Sequence, residues 1–135
     1  MPRAPQGTDL AQLFAALSDR TRLRLLNLMD GREVCVCYFV EILGQSQPKI
    51  SRHLAYLRKA GIVRARREGK WMHYCIEPPA DTRAAAILES TFAALKADRT
   101  MQSDRAKLDR ACCAPQRLVT LRGAPLPAQA ALPSV

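Results

Sequence analysis

Residues Gln45–Leu54 read Gln-Ser-Gln-Pro-Lys-Ile-Ser-Arg-His-Leu, a polar and basic run that begins with a helix signal. Ser46 is a favoured residue before the first helical turn, and Pro48 is tolerated inside that turn. A single apolar face is predicted by three residues at helical spacing, Ile50, Leu54 and Leu57. Gly61 suits the position just beyond the last turn. We therefore predict a helix between Ser46 and Gly61 with a basic outer face.

Three further helices are predicted upstream of this run. Leu10–Leu17 has apolar residues at i, i+3, i+4 and i+7, and Asp19 can cap a second helix that stops at Gly31. Val36–Leu43 predicts a third helix, which ends at Gly44. A short helix, a turn and a basic helix form a helix-turn-helix, in which the second helix reads DNA.

Downstream of Gly61 the pattern changes from helix to strand. Ile62–Ala65 and Trp71–Ile76 predict two strands joined by a hairpin at Arg67–Lys70, which is the wing of a winged helix. Residues 81 to about 108 predict one long helix outside the compact part, with an apolar stripe made of Ile87, Leu88, Phe92 and Leu95. Such a helix usually needs a partner, so we predict a homodimer.

These elements predict a mainly α fold with a small β-hairpin, a winged helix-turn-helix. We expect an N-terminal extension at residues 1–9, a DNA-binding and dimerisation domain at 10–110, and a cysteine pair with a flexible Pro/Ala-rich tail at 111–135. The chain has no apolar run of about 18 residues and no secretory signal in its first residues. We therefore expect a cytoplasmic protein that does not contact membranes.

The charge of the chain is concentrated in one segment. The 135 residues carry a net charge of +9, and the segment from Gly44 to Cys75 holds eight basic residues and one acidic residue. A basic excess of this kind is typical of proteins that bind a polyanion, because phosphate contacts release condensed counterions. Double-stranded DNA is the expected partner, although a basic surface also serves solubility.

The five cysteines indicate soft-ion chemistry. An odd number of cysteines in a chain without a secretory signal argues against a disulfide framework. Cys35 and Cys37 are two residues apart, which is about 200° on a regular helix. Either the pair lies in a non-helical start of the third helix, or ion binding unwinds that start. The alternative is that both are small buried apolar residues.

The remaining cysteines fall into two groups. Cys112 and Cys113 follow the long helix, where they are either soft-ion ligands or a surface pair prone to oxidation. Cys75 lies inside a strand and is expected to be structural. We therefore predict four thiol ligands, Cys35, Cys37, Cys112 and Cys113.

Residues 10–79 resemble the arsenic-responsive ArsR-type repressors. The resemblance lies in five collinear stretches, Ala16–Leu23, Cys35–Cys37, Gln45–Leu54, Leu57–Val63 and Arg67–Tyr74. It implies a homodimer that binds a palindromic operator and releases it when As(III) binds. In the best-known members a third cysteine follows the Cys-Val-Cys motif by three residues, but this position is Val40 here. Cys112 or Cys113 could supply the missing thiol, or could form a separate site.

Eight residues are predicted to contact DNA. Arginine and lysine suit guanine, glutamine suits adenine, and basic residues of a wing hold phosphates without reading sequence. Five lie on the basic helix and three in the hairpin: Gln47, Lys49, Ser51, Arg52, His53, Arg66, Arg67 and Lys70. The alternative is an ordinary solvated charged surface.

The sequence thus predicts a transcriptional repressor with As(III) or Sb(III) as inducer and without an organic cofactor. An enzyme is not expected, because there is no glycine-rich phosphate loop, no Cys-x-x-Cys motif and no nucleophile–base pair. A zinc site on the last helix is disfavoured by the lack of histidine in residues 81–108, and no cysteine precedes Cys35 to complete a cadmium or lead site. Two alternatives stay open: a thiol-redox-sensing repressor on the same scaffold, and a non-specific architectural DNA-binding protein.

Overall fold

A computed structural model describes residues 8–113 and 123–129, with the side chains of Cys113 and Gln129 excepted. Most of the expected N-terminal extension and much of the expected tail lie outside the described residues. Six helices are described: α1 Leu10–Leu17, α2 Arg20–Met29, α3 Val36–Leu43, α4 Gln47–Lys59, α5 Thr82–Lys96 and α6 Arg99–Cys113. Four strands are described: β1 Arg32–Cys35, β2 Val63–Glu68, β3 Trp71–Ile76 and β4 Ala128–Gln129.

The first four helices confirm the sequence predictions, and their ends follow from local chemistry. The Asp19 carboxylate accepts a hydrogen bond from the Arg22 N–H at 3.0 Å and so caps α2. Gly44 ends α3 in the left-handed conformation that glycine adopts without strain. Ser46 precedes α4, although its side chain makes no capping hydrogen bond. The short connection from α3 to α4 sets the angle of the helix-turn-helix.

The wing is a longer hairpin than the sequence predicted. Residues 67–70 were expected to form the turn, but Arg67 pairs with Met72 and Glu68 with Trp71, so both lie in β2. The turn is only Gly69-Lys70, and Gly69 has a φ of +58°. A two-residue hairpin with glycine at its first central position matches the twist of the flanking strands. The expectation failed because charged residues look like loop residues when they face solvent on an extended strand.

Two strands were not predicted. β1 pairs antiparallel with β3 through Val34 and Cys35, so the sheet order is β2-β3-β1-β4. β4 pairs with the other edge of β1 and lies within the tail for which we expected no strand. Both strands are too short to show an apolar alternation, and they form because an open sheet edge offers unpaired backbone groups.

The single long helix predicted over residues 81–108 is wrong. The chain breaks at Ala97 and Asp98, and the Asp98 carboxylate accepts the Met101 N–H at 3.1 Å. The sequence signal for this break was the capping carboxylate of Asp98. Helix α6 also does not lie outside the compact part, since it packs against α2 and α3. It continues to Cys113, so the cysteine pair forms its last turn instead of following it.

The core is centred on α3. Tyr38 and Phe39 are fully buried, and Phe39 packs against Tyr74 of β3 with ring centroids 6.4 Å apart. Leu108 and Ala111 of α6 belong to the same buried cluster. Helix α3 therefore contacts the sheet, the basic helix α4 and the last helix at once. Within the described residues, no helix has the length and apolar character needed to cross a membrane.

Candidate DNA-binding surface and thiol site

Helix α4 exposes a polar face opposite its buried stripe. Ile50, Leu54 and Leu57 are fully buried. Among the predicted DNA contacts on this helix, Gln47, Lys49 and Arg52 are exposed, whereas Ser51 and His53 are partly buried. Three of the five side chains are thus presented to solvent on the outer surface of the helix-turn-helix.

His53, the histidine among the predicted DNA contacts, contacts other residues of the protein. The His53 Nδ1 atom lies 3.4 Å from Arg22 Nη1 and 3.9 Å from an oxygen of Asp19. Arg22 also donates hydrogen bonds to the carbonyls of Ala15 and Ala16 at 2.9 Å each. This arginine joins α1, α2 and α4, so the geometry assigns His53 to positioning the basic helix.

Tyr56 is an exposed aromatic residue that sequence reasoning missed. It is 40% exposed on α4, four residues beyond Arg52 and hence on the same face. The Arg22 guanidinium lies 4.2 Å from its ring centroid and holds the ring by a cation–π contact. The available signal was an aromatic residue outside the apolar period of the helix.

The three basic residues of the wing have different surroundings. Arg66 is bound by two carboxylates, with 2.6 Å to Glu33 and 3.1 Å to Glu68. These contacts raise the pKa of Arg66 and lower the pKa of Glu33. Lys70 at the turn lies 5.0 Å from the Trp71 ring centroid, and Arg67 is exposed. Arg66 therefore braces the wing against β1, while Lys70 and Arg67 extend towards solvent.

Cys35 and Cys37 lie at the junction of β1 and α3. Cys35 is the last residue of the strand and precedes the helix in extended conformation, with φ −71° and ψ 143°. The two Sγ atoms are 3.3 Å apart, and the Cys37 thiol donates a hydrogen bond to Cys35. The separation expected on a regular helix does not arise, because Cys35 is not helical. The first of the two geometries left open by the sequence is the one observed.

This contact activates one thiol of the pair. The hydrogen bond from Cys37 lowers the pKa of Cys35 to about 7, assisted by the backbone N–H groups of Cys37, Val36 and Met72. The same hydrogen bond raises the pKa of Cys37. A helix N-terminus typically favours a thiolate in this way. Near neutral pH the pair therefore shares one negative charge that is centred on Cys35.

The donor set fits a thiophilic ion. With bonds of about 2.3 Å, as in zinc–thiolate sites, sulfurs 3.3 Å apart would give a sulfur–ion–sulfur angle of about 90°. This is narrower than a tetrahedral angle and suits a pyramidal ion with a lone pair, such as As(III). The pair offers two sulfurs, and no group of three or more His, Cys, Asp or Glu side chains suited to a metal occurs within residues 8–113 and 123–129.

Cys112 faces the same region of the core from α6. It is partly buried and packs against the cluster that contains α3. Burial and the charges of Cys112, Cys37 and Cys35 raise the pKa of Tyr38 in α3 to about 12. The side chain of Cys113 lies outside the described residues.

Cys75 is separate from these thiols. It is buried in β3, and Arg64 donates a hydrogen bond to its sulfur at 3.0 Å. Burial raises its pKa despite the neighbouring guanidinium. A buried thiol that stays protonated is a weak ligand, so the geometry is that of a structural cysteine.

Comparison with known proteins places this arrangement in a family. The family model described as "Bacterial regulatory protein, arsR family" matches residues 19–65. The arsenical resistance operon repressor of Escherichia coli K12 is 46% identical over 82 residues, which cover 60% of this chain and 70% of that protein. The arsenic resistance regulator ArsR1 of Pseudomonas putida is 45% identical over 57% of this chain and 61% of its own. A cadmium resistance regulatory protein homologue of Staphylococcus aureus is 34% identical, covering 62% of this chain and 68% of its own.

Solved structures agree with this comparison. HlyU from Vibrio cholerae has a TM-score of 0.53 at 30% identity, covering 60% of this chain and 85% of that one. A homodimeric winged helix-turn-helix DNA-binding domain from Mycobacterium bovis has a TM-score of 0.52 at 30% identity, covering 60% and 75%. The arsenic-resistance relatives are named as an operon repressor and a transcriptional regulator, which confirms the expectation that this chain is not an enzyme. The chain belongs to the arsR family of bacterial regulatory proteins and is a winged helix-turn-helix transcriptional regulator.

Proposed function

We propose that this protein is a cytoplasmic homodimeric repressor that holds operator DNA and releases it when As(III) or Sb(III) binds Cys35 and Cys37. The observation that carries the proposal is the 3.3 Å contact between the two sulfurs, which lowers the pKa of Cys35 to about 7. Thiolates are the ligands of soft ions, and one is already formed near neutral pH. The arsenical resistance function of the E. coli relative supports arsenic as the inducer.

The DNA-binding surface combines α4 and the tip of the wing. Gln47, Lys49, Ser51 and Arg52 contact bases or the adjoining backbone in the major groove, with Arg52 as the principal base contact. Arg67 and Lys70 hold phosphates next to the groove. His53 and Arg66 act indirectly, because the first contacts Arg22 and the second is bound by Glu33 and Glu68.

An exposed apolar surface on α1 supports the dimer. Leu10 and Phe14 are 43% and 53% exposed, and they lie on one side of the helix. Ile87 and Phe92 of α5 are only partly buried within the protomer. Contact with a second copy through α1 and α5 would cover these residues, in keeping with the homodimeric M. bovis neighbour.

Helix α3 is the element that couples the ion to DNA. Its first turn holds Cys37, Cys35 directly precedes it, and the helix packs against both α4 and α6. Cys112 is the third sulfur donor in this proposal, and it is not yet within ligand distance of the pair. Drawing α6 towards the start of α3 repacks α3 against α4. An ion that prefers this closed arrangement lowers the population that grips the operator.

Titration of a defined promoter complex tests the proposal. The protein is bound to fluorescently labelled DNA from the region upstream of its gene. Release of this DNA is followed by anisotropy while arsenite, antimonite, cadmium, zinc and peroxide are added in separate titrations. We expect release by arsenite or antimonite in wild type and none in Cys35→Ser, with operator affinity unchanged. Cys75→Ser is the matched control and keeps the response, because this thiol lies apart from the pair. Release by cadmium or zinc alone would refute the inducer assignment.

Thiol-redox sensing is the second candidate, and the same short contact favours it. Peroxide would oxidise the Cys35 and Cys37 thiols to one disulfide with release of two waters, closing the sulfurs from 3.3 Å to about 2.05 Å. Release of operator DNA by peroxide, without release by arsenite, would identify the protein as a thiol-redox sensor. Equal affinity for unrelated DNA at moderate salt would instead select an architectural binder.

A further inference from the structure

The hydroxyl of Tyr38 is a polar group without a partner in the core. Tyr38 is fully buried, and its Oη atom makes no hydrogen bond among the described residues. Buried polar groups nearly always have a partner, because a lone one retains its full desolvation cost. Tyr38 is therefore expected to gain an acceptor in another state of the protein.

The packing of α3 against α6 points to the acceptor. Tyr38 follows Cys37 directly in α3, and α3 packs against α6, which ends with the turn that holds Cys112. Cys112 is partly buried and packs against the buried cluster to which Tyr38 belongs. A phenol has one O–H group that can donate a hydrogen bond. A sulfur that becomes a thiolate on binding an ion is an acceptor of the required charge.

We propose that the Tyr38 hydroxyl donates a hydrogen bond to the sulfur of Cys112 when that sulfur ligates the inducer. This inference rests on the proposed function and adds to it a positioning residue that aims the α6 thiol at the Cys35–Cys37 pair. The hydrogen bond forms only in the loaded state, so it contributes to the difference in ion affinity between the two states and not to the fold of the free protein.

The proposal accounts for a combination of residues in this chain. Val40 occupies the position where the family motif has a third cysteine, Tyr38 adds a buried hydroxyl next in sequence to Cys37, and Cys112 packs against the same core from α6. A third thiol on α6 is less constrained relative to the Cys35–Cys37 pair than a thiol on the same turn of α3 would be. It therefore needs an additional contact that orients it. The buried and unpaired hydroxyl of Tyr38 meets that need.

Arsenite binding to the reduced, DNA-free protein tests this role. The affinity is measured from the ultraviolet absorbance of arsenic–thiolate bonds, and the number of sulfur neighbours is counted by X-ray absorption. We expect Tyr38→Phe to lower arsenite affinity by about 10-fold, as loss of a hydrogen bond to a charged group does, and to reduce the fraction of arsenic with three sulfurs. Its thermal midpoint is expected to be unchanged or higher, because the lost hydroxyl had no partner. The matched control is Tyr56→Phe, which removes an exposed hydroxyl from α4 and leaves arsenite affinity at the wild-type value.

A double substitution separates this role from general packing. In a Cys112→Ala background, Tyr38→Phe is expected to have no further effect on arsenite affinity, because its acceptor is gone. Wild-type affinity in Tyr38→Phe, or an undiminished loss in the Cys112→Ala background, would overturn the inference and leave the proposed function intact. Failure of the wild-type protein to bind arsenite would overturn the proposed function itself and the inference with it.

Discussion

Arg24 of α2 and Asp104 of α6 form a two-point ion pair, with Nε–Oδ2 and Nη2–Oδ1 distances of 2.8 and 3.0 Å. The carboxylate is 1% exposed, whereas the guanidinium side chain is 20% exposed. The pair raises the pKa of Arg24. The ion pair fixes α6, which carries Cys112, to α2, which precedes the thiol pair in sequence.

Replacing Asp104 is expected to destabilise the protein by loosening α6. Asp104→Ala leaves the partly buried Arg24 without its partner, and we expect the free energy of unfolding in urea to fall by about 2–3 kcal/mol. Asp109→Ala is the matched control, because its carboxylate is 60% exposed and its pair with Arg32 lies at the surface. The control is expected to change stability by less than about 1 kcal/mol. Equal losses in both variants would contradict the importance of the buried pair.

The shared proton of the thiol pair predicts a pH-dependent stability. The pKa of Cys35 is about 7 in the folded protein, below the value of about 8.5 for an unfolded cysteine. Between these values the unfolded chain binds more protons, so the free energy of unfolding should rise as pH increases from about 7 to 8.5 and should lose this contribution below pH 7. Cys37, whose pKa is raised, opposes this trend only above the unfolded value.

Urea unfolding at several pH values in reducing, metal-free buffer measures this slope, and Cys35→Ser is expected to remove it. Thiolate absorbance gives an independent reading, with a titration near pH 7 in wild type. In Cys37→Ala the donor is lost, so the pKa of Cys35 should move upward. An unchanged titration in that variant would show that the short sulfur contact is not what ionises Cys35.

Two arginines of the DNA-binding half should behave differently. Arg52→Ala is expected to weaken operator binding by about 1–3 kcal/mol and to relax sequence preference, since Arg52 is exposed on the outer face of α4. Arg66→Ala should have a smaller effect on affinity, because Glu33 and Glu68 already hold its charge. Fluorescence anisotropy at several salt concentrations distinguishes the two. A larger loss of operator affinity in Arg66→Ala than in Arg52→Ala would show that Arg66 contacts phosphates directly.

The helix-turn-helix and wing could be predicted from sequence because their signals are local. Ser46 and Pro48 mark the start of α4, and Gly69 supplies the positive φ that the hairpin turn requires. Hydrophobic period and capping chemistry act over a few residues, so they can be read without knowing the tertiary structure. The positions of helices α1 to α4 and of strand β3 follow from these rules.

The features that the sequence did not predict depend on contacts between residues that are distant in the chain. β1 forms because β3 offers a partner, and α6 folds back because Arg24 and Asn27 meet Asp104 and the Met101 carbonyl. No window of sequence contains both members of such a pair. The interactions of Arg66 and His53 within the protein were hidden for the same reason, since a basic residue looks the same in sequence whether it meets DNA or a carboxylate.

The four residues of β1 carry Glu33 and Cys35 on the same side of the strand, because side chains alternate. Insertion or deletion of one residue in the strand before Glu33 would turn both side chains over together, moving the carboxylate away from Arg66 and the thiol away from Cys37. The carboxylate that braces the wing and the thiol that we propose as an inducer ligand therefore depend on one strand register.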